Sequence, residues 1–139
     1  MITRVLAIGC LLALTACGGS DKPDSAGTTG ASDTATSSAP DPSGDLEAAV
    51  RKYSSAFLTG DGSTAYALLS KRCQTEMPLS DFAAITEQAA DTYGDVSIKS
   101  LNVVVDGDKG TATYTYPVVT LNQTEQPWVN QEGWKWDAC

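Results

Sequence analysis

The thiols of Cys10, Cys17, Cys73 and Cys139 are the strongest nucleophiles and softest metal ligands in this 139-residue chain. Their spacing restricts what they can do. No two of them form a C-x-x-C pair and the sequence contains no histidine, so neither a dithiol redox motif nor a zinc-type site is encoded. The lack of histidine also removes the usual general base at neutral pH. Covalent modification and cross-linking remain open to the thiols, and no cofactor is expected.

Cys17 closes the stretch Leu14-Thr15-Ala16-Cys17, which follows a basic Arg4 and an apolar run over residues 5–13. That run is too short for a transmembrane helix, which needs roughly 20 apolar residues, and it has the form of a secretory signal peptide over residues 1–16. The stretch resembles the lipobox of bacterial lipoproteins. The resemblance implies that lipid is attached to the Cys17 thiol, that the peptide is cut before it, and that the chain is anchored on the extracytoplasmic side of the cell membrane. Cys10, preceded by Ala7-Ile8-Gly9 without the usual leucine, is assigned to the discarded peptide. With Cys17 lipidated, an exported chain has Cys73 and Cys139 left to pair as a disulfide in an oxidising compartment. They are 66 residues apart, for which chain entropy gives roughly 4 kcal/mol of stabilisation.

Nine basic and 17 acidic residues leave a net charge of -8, which argues against nucleic acid and against electrostatic adhesion to anionic lipid heads. Membrane contact is therefore expected through the lipid on Cys17. Residues 17–44 read as the lipidated cysteine and a disordered tether, because from Gly18 onward there is no aromatic or branched aliphatic side chain to bury. As a random coil the tether spans roughly 30 Å. Its Ser and Thr density around Thr34 to Pro40 fits an O-glycosylated stalk or an unmodified spacer equally well.

Residues 45–139 carry the folded domain. Leu46, Val50, Tyr53 and Phe57 recur at helical spacing behind a cap at Ser43 or Asp45, and Gly60 supplies a left-handed stop. A second helix is predicted from an N-cap at Ser63 through Leu69, with Lys71 and Arg72 at its C-terminus and Cys73 just beyond it. A third opens at Ser80-Asp81, with Phe82, Ile85, Ala89 and Tyr93 as its apolar stripe and Gly94 as its end. The period then changes to two. Val96 to Val105 read as extended with an irregularity near Ser100, residues 106–110 form a hairpin loop, and a return strand runs from Thr111 to about Leu121, with Pro117 marking an edge or bulge. Asn122 to Gln126 fit a turn or a strand, and Trp128 to Trp136 close the chain as a hairpin around Gln131-Glu132-Gly133.

Three helices followed by about four antiparallel strands define an α+β class, with a curved sheet wrapped on the helices. Together with Gly60-Asp61, Ala65-Tyr66-Ala67-Leu68-Leu69-Ser70 and Gly133-Trp134-Lys135-Trp136, this order resembles the nuclear-transport-factor-2-like fold, and in particular its small exported actinobacterial lipoproteins. Enzymes of that fold use carboxylates inside a cone, often with histidine, which makes Asp61, Asp81, Asp91 and Asp95 the candidate acids. Each also has an ordinary role at a turn or helix end. Tyr114, Tyr116, Trp128, Trp134 and Trp136 concentrate aromatic area in the second half of the domain, as core, as the lining of a pocket, or as a partner surface. The expectation is a monomeric, non-catalytic interaction module for an unknown envelope protein. Two further readings stand beside it: a carrier of a small apolar ligand, and a hydrolase or isomerase with a buried carboxylate.

Overall fold

The computed structural model describes residues 41–139; the expected signal peptide, Cys17 and the expected tether as far as residue 40 lie outside the described residues. Helix α1 spans Pro42–Leu58. Its start lies earlier than expected because Asp41, not Ser43 or Asp45, is the N-cap: the Asp41 carboxylate accepts from the Ser43 backbone N–H, and Pro42 occupies the first turn, where no N–H is needed. Leu46, Val50 and Tyr53 are buried along one stripe, as their spacing requires. Gly60, at φ 78°, stops the helix in the left-handed region.

The predicted second helix is two helices, α2 at Gly62–Ala67 and α3 at Lys71–Glu76, making four among the described residues. Tertiary pairing causes the break. Leu68 and Ser70 are drawn out alongside Trp136, with the Ser70 N–H donating to the Trp136 carbonyl and the Trp136 N–H donating to the Leu68 carbonyl, both at 2.8 Å. Ser70 then caps α3 through the Cys73 N–H. Lys71 and Arg72 consequently sit at the start of α3, not at the end of α2, and Cys73 lies inside α3. Asp61, not Ser63, caps α2 by accepting from the Thr64 N–H at 3.0 Å.

Helix α4 spans Leu79–Tyr93 and ends at Gly94. Its buried side is Phe82, Thr86 and Ala89, whereas Ile85 and Tyr93, expected in the apolar stripe, are 42% and 37% exposed. Thr86 is tolerated inside because its hydroxyl donates to the Ala83 carbonyl.

Four strands follow as an open antiparallel meander in the order β1-β2-β3-β4, with β1 at Ser100–Asp106, β2 at Lys109–Thr115, β3 at Gln123–Asn130 and β4 at Trp134–Trp136. The α+β class therefore holds. β1 begins only at Ser100, leaving Val96 and Ile98 outside the ladder, and β2 ends at Thr115, six residues short of the expected Leu121. Pro117 has no N–H to continue the pairing. The chain instead makes a short 3-10 turn at Val119–Leu121, closed by the Asn122 side chain accepting from the Tyr116 N–H.

The ladder irregularity lies between β2 and β3. Ala112 faces Gln126 but Tyr114 faces Gln123, so β3 carries an extra residue, and Glu125 adopts φ 49°. That extra residue turns both glutamines to the face that holds Ala112 and Tyr114. The same face carries Trp128 opposite Trp136 and packs on α1. Close approach is possible there because position 110 is glycine: a Cβ would lie 2.6 Å from Leu46 Cδ2.

Candidate functional site

Between α1, α4 and the inner sheet face lies a cavity of about 330 Å³. Tyr53, Ser54 and Phe57 reach it from one side of α1, because residues three and four apart share a helix face. Tyr114 and Tyr116 reach it together because side chains in extended backbone alternate with period two. Phe82 and Ile85 come from α4 and Trp136 from β4. Since Ile85 and Cys139 line the cavity and are exposed, it opens to the surface beside them.

The aromatic wall is internally packed. Tyr53 stacks on Trp136 with centroids 5.5 Å apart and planes at 14°, Phe57 meets Phe82 edge-on at 5.9 Å, and Tyr114 meets Tyr116 at 5.8 Å. Polar atoms are few and mostly paired. The Ser54 and Tyr116 hydroxyls bond to each other. Gln126 donates to Gln123 at 2.8 Å and accepts from the Trp136 indole at 3.2 Å, while Gln123 donates to the Leu121 carbonyl. Burial pushes the Tyr53 and Tyr114 phenols far up, and also raises Tyr116, where the bond from Ser54 opposes the shift. All three stay protonated at any physiological pH.

Of the five aromatic residues singled out in the sequence, the structure brings Tyr114, Tyr116 and Trp136 together at the cavity. Trp128 and Trp134 are core. Trp128 is 1% exposed and meets Tyr53 edge to face at 5.9 Å, and the Trp134 indole donates to the Pro42 carbonyl at 3.1 Å. An exposed patch of these five does not exist, since four are buried and Trp136 is half-buried. Tyr53, Phe57 and Phe82 were legible only as core stripes. Ser54, Gln123 and Gln126 gave no signal, because only the fold aims them inward.

The candidate acids go elsewhere. Asp61, Asp81, Asp91 and Asp95 are all exposed and none lines this cavity. Hydrogen bonds from Thr64 and Ser63 hold the Asp61 carboxyl below the usual carboxylate range, which fits its capping role. Asp95 lines a second, smaller cavity of about 200 Å³ with Arg51 and Ser54.

Cys73 and Cys139 are joined as a disulfide, with Cα atoms 5.4 Å apart, and both border the main cavity. Asp137 lies with the two sulfurs within 4.8 Å, but bonded sulfurs offer no thiolate, and Asp137 itself is engaged by Ser70 and Arg72. Arg72 also donates to the carbonyls of Asp137 and Cys139, so the bridge and the guanidinium together pin residues 137–139 beside α3. Compared with protein-family models, with curated proteins and with solved structures, the chain matches none.

Proposed function

We propose that this chain is an exported, lipid-anchored binding protein whose domain carries a small, largely apolar molecule in the cavity between α1, α4 and the sheet. The single observation behind the carrier reading is the cavity itself: about 330 Å³, lined mainly by aromatic and aliphatic side chains, near the lower end of the roughly 300–1,000 Å³ usual for ligand sites. On the sequence alone a partner-binding module leads; a cavity, with no exposed patch of the five singled-out aromatics, moves the preference to the ligand. The enzyme reading would need a buried carboxylate at the cavity, and the four candidate acids are exposed. Within the α+β class, the open meander packed on α1 supports the nuclear-transport-factor-2-like cone that the sequence resembles.

Uptake of a neutral naphthylamine dye by the full chain tests the carrier. Fluorescence enhancement is expected with wild type, and Ile85→Trp, which places an indole at the mouth, is expected to weaken it at least tenfold while the melting temperature changes little. No enhancement with wild type, or equal enhancement with the variant, would refute the carrier.

The anchor rests on Leu14-Thr15-Ala16-Cys17, and the Cys73–Cys139 bond supports an oxidising compartment. Cys17→Ala is expected to shift the protein from the detergent phase to the aqueous phase on phase separation. An unchanged partition would end the proposal of a lipid on Cys17.

A further inference from the structure

Among the described residues, two of the three phenols at the cavity have no protein group to bond to. Tyr53 and Tyr114 are only 7% and 4% exposed, and among the described residues neither hydroxyl takes part in a hydrogen bond. Buried O–H groups without an acceptor are costly, on the order of 1–3 kcal/mol each. These two oxygens are nevertheless not sealed. Among the described residues the one sealed, unpartnered side-chain atom is Trp128 Nε1, which lies outside the cavity wall. The space that Tyr53 and Tyr114 share is the cavity, whereas the third phenol, Tyr116, is committed to Ser54.

Resting on the carrier reading, we infer that the cavity selects an uncharged molecule with an apolar body and a hydrogen-bond acceptor, of the ketone or ester type, and that the Tyr53 and Tyr114 hydroxyls donate to that acceptor. A carbonyl oxygen has two lone pairs and can take one or both donors. A ligand offering only donors would leave both phenolic hydrogens unmatched.

Charge decides against the other ligand classes. Among the described residues no Lys, Arg, Asp or Glu side chain lines the cavity, so a carboxylate or phosphate would be buried without a counter-ion, at a cost no pair of phenols offsets. A quaternary ammonium would need open aromatic faces around it. Here part of that aromatic face is taken up by ring–ring contacts, most directly in the offset stack of Tyr53 on Trp136.

The test displaces the naphthylamine dye from the full chain with four probes that share a phenyl ring and a short alkyl chain: butylbenzene, butyrophenone, phenylbutyrate and phenylpropyltrimethylammonium. Butyrophenone is expected to bind best. Tyr53→Phe and Tyr114→Phe break no hydrogen bond in the free protein, so both are expected to fold normally, to weaken butyrophenone roughly 3- to 10-fold each, the value of one neutral hydrogen bond, and to leave butylbenzene unchanged. Equal binding of butyrophenone and butylbenzene to wild type would overturn the inference while leaving the carrier standing. Tightest binding by either charged probe would overturn it, as would a ketone preference that survives in the double variant or a failure of all four probes to displace a bound dye. Failure of the dye itself to enter would instead refute the carrier.

Discussion

Cys73→Ser is expected to melt about 15–30 °C below the wild-type chain in non-reducing buffer. The bond joins residues 66 apart, and closing a loop of that length removes roughly 4 kcal/mol of freedom from the unfolded chain. A domain of about 100 residues loses about 4–8 °C per kcal/mol. The effect has a local component as well. Residues 137–139 are held beside α3 by the bridge and by Arg72, and both sulfurs border the cavity, so losing the bridge also loosens one wall of the site. Calorimetry of the variant beside the dithiothreitol-reduced wild type separates the bond from the substitution. The two are expected to coincide, and a shift under about 5 °C in both would mean that the bridge contributes little.

Trp128→Ala is expected to cost about 3–5 kcal/mol, in the range for removing a fully buried large aromatic side chain, whereas Trp128→Phe is expected to cost less than half of that. Trp128 is 1% exposed, lies between Gly110 and Trp136 in the sheet and presents an edge to Tyr53. Its indole N–H has no partner among the described residues, so wild type already bears the penalty of a buried, unmet donor. Phenylalanine removes that donor while keeping most of the ring, and because Trp128 is not part of the cavity wall, dye uptake is expected to survive. Urea unfolding with a constant m-value measures both costs. Equal losses for the two variants would show that the N–H is not a burden.

How much of this was legible follows from where each signal resides. The α+β order and the final hairpin were, because Trp134-Lys135-Trp136 alternates and Gln131-Glu132-Gly133 is turn chemistry. The division of the second helix was not. Leu68 and Leu69 continue a helical pattern, and what pulls them straight is pairing with Trp136, some 67 residues later. The cap reads as Ser43 or Asp45, without Asp41, because Asp41-Pro42-Ser43-Gly44-Asp45 offers several capping side chains within one turn. Ile85 fits the apolar stripe correctly as a residue type. Periodicity cannot distinguish a side chain that fills a core from one that stands at the mouth of a hollow. The cavity was invisible for the same reason, since volume depends on how far apart the fold holds side chains whose pattern reads simply as apolar.

The bond from the Trp134 indole to the Pro42 carbonyl, across 92 residues, has a bearing on when the domain acquires its shape. Helix α1 is synthesised first, yet the sheet it lies on includes β4, the final strand of the meander. Long-range contacts of this kind raise contact order and delay folding. A ribosome adding roughly 5–20 residues per second therefore releases α1 well before the sheet it packs on is complete. For a chain read as exported, the delay is useful: a translocon threads unfolded polypeptide, and this topology withholds the packing of α1 on the complete sheet until β4 has emerged.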